Sequence, residues 1–315
     1  MKKIVVTGGA GFIGSNLVRS LLEQREGKVI VIDNLFSGKE ENLAEVRNEI
    51  GFERMDVRDL NAILPVIDGA DTVYHLAAIP SVPRSIEDPV PSHDTNLNGC
   101  FNVFHAAVQG KVRRLIYAAS SSAYGDTEVL PKVETMIPRP KSPYAAQKVM
   151  GEYYARCFYE CYGLEAVALR FFNVYGPRQD PTSAYSGVLS LFITALIDGK
   201  NPTILGDGEQ SRDFTYVKDV AGLCIKAAHA GKHVAGITYN AGNGNRHTLN
   251  KVWSLLQKIE GIELPAKYGP PRSGDVLHSQ ADTTLAIRDL GHDPKYSLEE
   301  GLRLTLEWYR QDRAA

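Results

Sequence analysis

Residues Ile4-Val5-Val6-Thr7-Gly8-Gly9-Ala10-Gly11-Phe12-Ile13-Gly14 predict a buried strand, a glycine turn and the start of a helix. The β-branched run in the first three positions is typical of a strand in a parallel sheet. After the glycines, apolar side chains recur at helical spacing as far as Leu22, and a second apolar run at 28–32 ends next to Asp33. A strand, a turn, a helix, a second strand and an acid in this order predict a dinucleotide site.

The three glycines and the acid each have a physical role in such a site. Gly8 allows the tight turn, Gly11 lets the backbone approach a pyrophosphate, and Gly14 lets the helix pack close to the strand. The helix N-terminus faces the phosphates, and Asp33 can bind the ribose hydroxyls. Because a carboxylate repels a 2′-phosphate, Asp33 favours NAD. Glycine-rich turns often serve only to make a turn, but the flanking strands and the acid favour nucleotide binding.

The following segments alternate between apolar strands and helices. Further strands are predicted near 52–57, 71–78, 114–119 and 166–170, with helices between them. This alternation predicts an α/β fold built on a doubly wound, Rossmann-like parallel sheet.

After Asn173, glycines and prolines become more frequent and the alternation becomes irregular. We therefore expect a NAD-binding domain at residues 1–173, to which 214–230 returns. Residues 174–213 and 231–315 are expected to form a smaller substrate-binding α/β lobe that faces the open edge of the nucleotide site.

The composition argues against several classes of function. With 315 residues, of which 43% are hydrophobic and 23% charged, the chain is typical of a globular protein with a large core. The formal net charge of −2 and the lack of a long Lys/Arg block argue against nucleic acid or an anionic membrane as a partner. No apolar run has the length of a membrane span, and the one behind Met1-Lys2-Lys3 is too short for a signal peptide. We therefore expect a cytoplasmic protein.

The cysteines do not indicate a metal site. No Cys or His partner falls at zinc-finger spacing, so we expect no metal and reduced thiols packed in a core. These residues are Cys100, Cys157, Cys161 and Cys224.

The most informative chemical stretch runs from Ser142 to Lys148. Ser142 can cap a helix, Pro143 fits its first position, and Tyr144 and Lys148 then lie one turn apart on the same face. A neighbouring lysine is expected to lower the pKa of the phenol from about 10, so that Tyr144 can act as a general base. Alone, this spacing more often reflects an aromatic–aliphatic contact, but the dinucleotide motif upstream favours catalysis.

A serine-rich turn, Ser120-Ser121-Ser122-Ala123-Tyr124-Gly125, follows the fifth predicted strand. The carboxyl ends of parallel strands line the ligand crevice in such folds. These serines could simply terminate the strand, but their position favours Ser120 as a second hydrogen-bond partner for a reacting hydroxyl.

Further motifs extend the pattern over nearly the whole chain. They are Asp33-Asn34, Asp56-Val57, His75-Leu76-Ala77-Ala78, Arg170 to Gly176, Ser211-Arg212-Asp213-Phe214 and Arg272-Ser273-Gly274-Asp275. Together with the glycine turn, the serine turn and the tyrosine–lysine pair, they resemble the NAD-dependent nucleotide-sugar epimerases and dehydratases of the extended short-chain dehydrogenase/reductase family. The resemblance is closest to UDP-hexose 4-epimerases, particularly those that accept UDP-N-acetylhexosamines.

The resemblance implies a role for each matching position. The catalytic residues would be Ser120, Tyr144 and Lys148. The NAD contacts would be Gly8, Gly11, Phe12, Ile13, Gly14, Asp33, Asn34, Asp56, Val57, Leu76, Ala77, Ala78, Asn96, Tyr144 and Lys148. The substrate contacts would be Ser120, Ser122, Tyr144, Asn173, Gly187, Val188, Leu189, Thr203, Arg212, Arg272, Asp275 and Ser279. One position departs from the family, which often has a lysine where this chain has Pro80.

The resemblance also implies an internal redox cycle on a UDP-sugar. Tyr144 takes the proton from O4 while hydride leaves C4 for NAD⁺, which gives a 4-keto sugar. The sugar turns over about its diphosphate link and the hydride returns to the other face. Since NAD is regenerated, it is expected to remain bound as a prosthetic group.

Relatives in this family dimerise through a four-helix bundle, which here would use the predicted helices at 95–108 and 142–162. The second of these carries more aromatic surface than one sheet face needs to cover. Its aromatic residues include Tyr153, Tyr154, Phe158 and Tyr162. The alternative is that all of this surface packs inside one chain; we expect a homodimer.

Two arginines are predicted to bind substrate independently of the resemblance. Guanidinium groups bind phosphate bidentately, and a nucleotide diphosphate needs fixed cations. We therefore expect Arg212 and Arg272 to bind the diphosphate. The alternative is that each pairs on the surface with its neighbouring acid, Asp213 or Asp275.

Rival activities share the first oxidation. Dehydratases and decarboxylases of the family carry acids where this chain has Ser121 and Ser122, so elimination lacks an obvious acid or base. A UDP-glucuronate 4-epimerase remains open because it needs no extra acid. A reading of another class is a non-catalytic NAD-binding sensor, against which the intact Ser120, Tyr144 and Lys148 argue.

Sugar choice depends on Ser279. In the epimerases that this chain resembles, the residue at this place lies beside C2 of the hexose, where a tyrosine excludes an N-acetyl group and a small residue admits it. Ser279 is small, so we expect UDP-GlcNAc and UDP-GalNAc to fit. The alternative is that Ser279 merely fills a loop.

Overall fold

A parallel seven-stranded sheet forms the centre of the molecule, as seen in a computed structural model that describes residues 2–180, 187–271 and 277–314. The strands are β1 (Lys3–Thr7), β2 (Lys28–Asp33), β3 (Gly51–Arg54), β4 (Thr72–His75), β5 (Arg114–Ser120), β6 (Glu165–Phe171), β7 (Asn173–Tyr175), β8 (Thr203–Leu205), β9 (Ser211–Arg212), β10 (Phe214–Tyr216), β11 (Thr238–Ala241), β12 (His247–Thr248) and β13 (Lys267–Gly269). The sheet order is β11-β6-β5-β4-β1-β2-β3, with parallel pairing throughout. The chain order reverses between β1 and β4, so the predicted doubly wound α/β fold is confirmed.

Helices cover both faces of this sheet. They are α1 (Phe12–Glu23), α2 (Leu60–Ile67), α3 (Val82–Glu87), α4 (Pro89–His93), α5 (Cys100–Gln109), α6 (Pro143–Tyr162), α7 (Val188–Ile197), α8 (Val217–His229), α9 (Leu249–Glu260), α10 (Thr284–Leu290) and α11 (Leu298–Ala314). The helices α1 and α8 pack on one face, where Leu17 and Val220 are buried. The helices α2, α5 and α6 pack on the other, where Ile63, Phe104 and Phe158 are buried.

The long helix α6 begins where the sequence predicts. Ser142 Oγ accepts a hydrogen bond from the N–H of Ala145 (3.1 Å), and Pro143 occupies the first helical position. The helix ends at Gly163, whose φ of 73° suits glycine. Its first turn therefore lies at a fixed place beside the carboxyl end of β5.

The helix predicted over 95–108 begins with a widened turn. Residues Asp94–Gly99 are π-helical, and α5 continues from them to Gln109. Single π-turns inside helices often occur at functional sites. Asn96, a predicted NAD contact, lies in this turn.

The division into domains differs from the prediction in one segment. Residues 231–242 were expected in the second lobe, but β11 lies in the central sheet, where Thr238 pairs with Ala168 of β6. Tyr239 and Ala241 are buried in the first core, and α10 packs there too. The segment belongs to the sheet because the free edge of β6 needs a partner for its backbone groups.

A second apolar core lies beyond the sheet. It is built mainly by α7, α9 and α11, and includes Leu189, Phe192, Trp253 and Leu302. The short strand pairs β7–β10, β8–β13 and β9–β12 lie outside the central sheet.

The charged segment before β3 is a 3₁₀-helix at Glu40–Glu49. One smaller expectation differs. Cys100 and Cys224 are buried as expected, whereas Cys157 and Cys161 are exposed on the outer face of α6. Within the described residues, none of the helices combines the length and the apolar character that crossing a membrane requires.

Candidate active site

The glycine turn after β1 leaves no room for side chains. Gly8 has a φ of 73°, and a Cβ there would lie 2.6 Å from the backbone nitrogen of Ala77. A Cβ on Gly14 would lie 2.1 Å from the carbonyl oxygen of Gly8, so α1 can approach β1 this closely only with glycine. The helix begins at Phe12 with Gly11 as its N-cap, and its first N–H groups lack partners within the helix. This cradle fits the pyrophosphate of a dinucleotide.

Asp33 ends β2 beside this turn. Its Oδ2 accepts a hydrogen bond from the N–H of Ala10 (2.9 Å) and its Oδ1 from that of Leu35 (2.9 Å). Burial raises the pKa of the carboxyl, and these two backbone hydrogen bonds oppose the shift. These two bonds fix the orientation of the carboxylate beside the glycine turn, and an acid at this place fits the role of a ribose acceptor.

Asn34 and Asp56 lie together beyond Asp33. Asn34 Nδ2 donates to Asp56 Oδ2 (2.8 Å), and Arg58 pairs with the same carboxylate (2.8 Å). The hydrogen bond from Arg58 is the main reason why the pKa of Asp56 is lowered to about 2. Val57 is buried beneath Gly99, where a Cβ would lie 2.8 Å from Val57 Cγ2.

The loop after β4 carries Leu76, Ala77 and Ala78, and Asn96 holds its continuation. Asn96 Oδ1 accepts from the N–H of Ile79 (2.7 Å), and Nδ2 donates to the carbonyl oxygen of Ile79 (3.1 Å) and to Gln147 Oε1 (2.9 Å). Gln147 precedes Lys148 on α6, so this buried amide pair joins the loop to α6. Gln147 was not predicted as a site residue, although a polar residue on the buried face of a helix could have indicated it.

Ser120, Tyr144 and Lys148 come together at the carboxyl edge of the sheet. Ser120 ends β5, and Tyr144 lies in the first turn of α6 beside it. Lys148 Nζ lies 6.0 Å from the ring centroid of Tyr144 and donates to the carbonyl oxygen of Ala118 (2.8 Å). Ser122 donates to Ser120 Oγ through both its N–H (3.2 Å) and its hydroxyl (2.9 Å).

The pKa values of the pair differ from the expectation. Burial raises the pKa of Tyr144, and the neighbouring Ser120 hydroxyl opposes the shift. Burial lowers the pKa of Lys148 to about 8. The predicted lowering of the Tyr144 pKa by Lys148 is therefore wrong for the protein without cofactor, because the lost hydration of the phenolate dominates the shift.

A buried ion pair fixes α6 against β6. Arg170 Nε and Nη2 donate to Glu152 Oε1 (2.8 Å) and Oε2 (2.7 Å), and the two side chains are only 4% and 5% exposed. The Arg170 guanidinium also lies 4.6 Å from the ring centroid of Tyr124, in the turn that follows Ser120. Glu152 and Arg170 lie on different elements, so no spacing in the sequence indicated this contact.

The predicted substrate contacts occupy the second lobe and its border with the sheet. Asn173 begins β7, Gly187 is the N-cap of α7, and Thr203 begins β8. Val188 and Leu189 form the first turn of α7. Arg272 and Asp275 lie outside the described residues.

Arg212 and Ser279 lie on neighbouring segments. Arg212 Nη1 donates to the carbonyl oxygen of Leu277 (3.0 Å), and the N–H of Ser279 donates to the carbonyl oxygen of Ser211 (3.0 Å). Asp213, considered above as a surface partner of Arg212, is fully buried and binds backbone N–H groups. The sequence motif around Arg212 contained Asp213, but nothing in it showed that the acid is buried.

The arrangement of glycine cradle, Asp33 and tyrosine–lysine pair lies within a match to the model of the NAD dependent epimerase/dehydratase family, which covers residues 4–242. The chain belongs to this family. NAD is therefore the cofactor of this family member, and the close approach of α1 to β1 that Gly8 and Gly14 allow, together with the oriented Asp33, fits it.

Similar proteins in the epimerase/dehydratase family span the whole chain. The UDP-glucose 4-epimerase of Mycolicibacterium smegmatis is 36% identical over 313 residues, which cover 98% of both chains. The solved UDP-N-acetylglucosamine 4-epimerase from Methanobrevibacter ruminantium, in complex with UDP-N-acetylmuramic acid, is 38% identical, with a TM-score of 0.94 over 99% of both chains. The solved UDP-glucose 4-epimerase of Thermus thermophilus, in complex with NAD, is 37% identical, with a TM-score of 0.88 over 98% of this chain and 99% of that chain.

Proposed function

We propose that this protein is a NAD-dependent 4-epimerase that interconverts UDP-GlcNAc with UDP-GalNAc and UDP-glucose with UDP-galactose. The observation that carries the proposal is the arrangement of Ser120, at the end of β5, with Tyr144 and the buried Lys148, at the sheet edge that also holds the glycine cradle. The similarity to 4-epimerases of UDP-glucose and UDP-N-acetylglucosamine over the whole chain supports the same reaction.

Ser120 and Tyr144 have different roles in the transfer of the sugar's O4 proton. Ser120 Oγ accepts two hydrogen bonds from Ser122, so its own proton is available to donate. When Ser120 donates a hydrogen bond to O4 of the sugar, the O4 proton points toward Tyr144. Tyr144 then takes this proton as the general base. Bound NAD would supply the acceptor, and later the donor, of the C4 hydride.

Lys148 supports the phenolate that Tyr144 becomes. Its hydrogen bond to the carbonyl oxygen of Ala118 fixes the ammonium below the tyrosine ring. A charge in a site without water acts more strongly than one at the surface. Below about pH 8 the lysine is protonated, so its charge is present at neutral pH.

The diphosphate of the substrate needs fixed cations, and we propose that Arg212 and Arg272 supply them. A guanidinium group can bind a phosphate with two parallel hydrogen bonds. The position of the Arg212 guanidinium is defined, because its hydrogen bond to the carbonyl oxygen of Leu277 holds it beside the segment that carries Ser279. Asn173, Gly187, Val188, Leu189, Thr203, Asp275 and Ser279 complete the proposed substrate contacts.

Epimerisation is favoured over elimination by the turn after β5. Ser121 and Ser122 bring hydroxyl groups there and no carboxylate. Dehydration needs an acid and a base at C5 and C6, and serine hydroxyls are poor at both.

We also propose that the protein is a cytoplasmic homodimer. Phe101 of α5 and Tyr153 of α6 are 42% and 54% exposed, and Met150 and Tyr162 extend this apolar surface along α6. The rings of Phe101 and Tyr154, from the two helices, lie 5.8 Å apart, so the surface is continuous across both. A patch of this kind on two parallel elements suits a four-helix bundle formed with a second copy.

The proposal is tested by incubating the NAD-loaded protein with UDP-GlcNAc, UDP-galactose and UDP-glucuronate in parallel, and separating the C4 epimers by chromatography. Formation of UDP-GalNAc and UDP-glucose is expected. Turnover of UDP-glucuronate alone would assign the neighbouring 4-epimerase activity instead, and release of a 4-keto-6-deoxy sugar would assign a dehydratase. NAD binding without any turnover would make the protein a cofactor-binding sensor.

A further inference from the structure

Asp213 has an unusual set of hydrogen-bond partners. Its Oδ1 accepts from the N–H of Asn243 (2.8 Å) and the hydroxyl of Thr215 (3.2 Å), and its Oδ2 accepts from the N–H groups of Gly244 (2.9 Å) and Ala281 (3.0 Å). The side chain is fully buried. Two separate backbone stretches, 243–244 and 281, therefore meet at one carboxylate, which is a charge-assisted and costly arrangement to disturb.

The hydrogen bond between Asp213 and Ala281 replaces a backbone hydrogen bond between two neighbouring extended segments. The N–H of Ser279 donates to the carbonyl oxygen of Ser211 (3.0 Å). Two residues further on, the carbonyl oxygen of Asp213 already accepts from the N–H of Asn173 (3.1 Å). The N–H of Ala281 therefore donates to the carboxylate of Asp213 and not to its carbonyl oxygen. The position of the 279–281 backbone thus depends on a side chain.

The same segment is held on its other edge. The N–H of Lys132 donates to the carbonyl oxygen of Gln280 (2.8 Å), and the N–H of Asp282 donates back to that of Lys132 (2.9 Å). Gln280 Nε2 also donates to the carbonyl oxygen of Gly244 (2.9 Å). Ser279 therefore stands in a backbone that is fixed from both sides.

The carboxylate of Asp213 is tightly packed against Gly242 and Ala281. A Cβ on Gly242 would lie 2.9 Å from Asp213 Oδ2 and 2.5 Å from the Cβ of Ala281. Ala281 therefore occupies the space that a side chain at residue 242 would need, and movement of Ala281 away from Asp213 breaks its bond to the carboxylate.

We infer that Asp213 is a positioning residue for sugar choice: it fixes the backbone at 279–281 and thereby the distance at which the side chain of residue 279 meets the substituent on C2 of the sugar. This inference rests on the proposed function. Asp213 does not touch the substrate in this account; it acts through Ser279.

The test compares Asp213→Asn with Thr215→Val, both as NAD-loaded protein. The amide of Asp213→Asn has one oxygen left for four donors, so at least one buried N–H loses its acceptor, whereas Thr215→Val removes only the hydroxyl and leaves the three backbone bonds. Amide hydrogen exchange is measured at 243–244 and 279–281. In parallel, Ser279→Tyr is introduced into each background and its discrimination between UDP-galactose and UDP-GalNAc is measured as a ratio of kcat/KM values.

In Asp213→Asn, exchange at Ala281 should accelerate by about tenfold or more, and the discrimination caused by Ser279→Tyr should shrink by about the same factor. In Thr215→Val both should stay near the unsubstituted protein. Unchanged discrimination in Asp213→Asn would overturn the inference, as would unchanged exchange at Ala281.

If Asp213→Asn does not retain NAD, Gly242→Ala serves in its place, because the added methyl group pushes Ala281 away while the carboxylate remains. Equal discrimination with and without this methyl group would likewise overturn the inference. Absence of turnover by the unsubstituted protein would overturn the proposed function, while the exchange rates would still decide whether Asp213 anchors Ala281.

Discussion

Lys148 Nζ lies 6.0 Å from the ring centroid of Tyr144 and is bound to the carbonyl oxygen of Ala118, 2.8 Å away, in a position where the lysine is 4% exposed. A buried ammonium loses most of its hydration, and one carbonyl replaces only part of it. The arrangement that supports a tyrosine base is therefore expected to lower the stability of the fold.

This cost predicts that Lys148→Met stabilises the NAD-free protein. The pKa is about 8 in the folded protein and 10.5 ordinarily, so between these values the unfolded chain binds more protons and stability rises with pH. The penalty is full below pH 8, and at about 1.4 kcal/mol per pH unit it is about 3 kcal/mol. Loss of the bond to Ala118 offsets part of the gain, so we expect about 1–3 kcal/mol in favour of the variant at pH 7.

Denaturant unfolding at pH 7 and from pH 8 to pH 10.5 measures this, with Lys141→Met, which removes an exposed lysine just before the same helix, as the control. The rise in stability across the alkaline range should disappear only in Lys148→Met. A variant less stable than the unsubstituted protein at pH 7 would contradict the burial cost.

Tyr144→Phe should retain NAD and fold while epimerisation falls by at least the factor of about 10²–10⁴ typical of a lost general base. Only the hydroxyl that takes the O4 proton is removed, so ring packing is kept. Initial rates with UDP-galactose, together with the NAD content of the purified protein, measure the effect. Tyr159→Phe removes a hydroxyl elsewhere on the same helix and should be nearly as active as the unsubstituted protein. Near-normal turnover in Tyr144→Phe would reject the assignment.

Glu152→Gln should lower the free energy of unfolding by about 3–5 kcal/mol, because it leaves the buried charge of Arg170 without its partner. The matched control is Glu160→Gln, which breaks the Arg156–Glu160 pair on the exposed side of the same helix, where both side chains are more than half exposed. An exposed pair of this spacing contributes about 0.3–0.5 kcal/mol. Equal losses in urea unfolding of the two variants would contradict a special role for the buried pair.

The features that the sequence predicted correctly are local ones. Gly8 and Gly14 are required by contacts within ten residues of each other or with the adjacent strand, and the tyrosine–lysine spacing of α6 follows from helix geometry. Patterns of this kind are visible wherever periodicity and turn chemistry act over a few residues.

The features that were missed depend on distant segments. The strand β11 joins the sheet by pairing Thr238 with Ala168, far away in the chain. The raised pKa of Tyr144 depends on burial by residues that come from other parts of the chain. The burial of Asp213 depends on backbone groups at 243–244 and 281. None of these partners leaves a mark on the sequence next to the residue concerned.

The exposed surface on α5 and α6 predicts that Phe101→Arg separates a dimer. A charge placed in an apolar interface must lose its hydration without a partner, and this is costly. Leu205→Arg is a matched control, because Leu205 is 42% exposed, like Phe101, but lies in the second lobe. Sedimentation at micromolar concentration should give twice 34.6 kDa for the unsubstituted protein and the control, and 34.6 kDa for Phe101→Arg. A species of 34.6 kDa for the unsubstituted protein would contradict the dimer.

The choice of sugar should change with a single side chain, because the backbone that carries Ser279 is bonded to Ser211 and is flanked by the anchored Ala281. A fixed backbone cannot retreat from a bulky group, so Ser279→Tyr should abolish turnover of UDP-GalNAc and spare UDP-galactose. Steric exclusion exceeds the effect of one lost apolar contact, about 1–3 kcal/mol, so the ratio of the two kcat/KM values should change by more than about 200-fold. Ser279→Ala keeps the space open and should turn over both substrates. If the unsubstituted protein converts UDP-galactose but never UDP-GalNAc, the role given to Ser279 is wrong, while the 4-epimerase activity would stand.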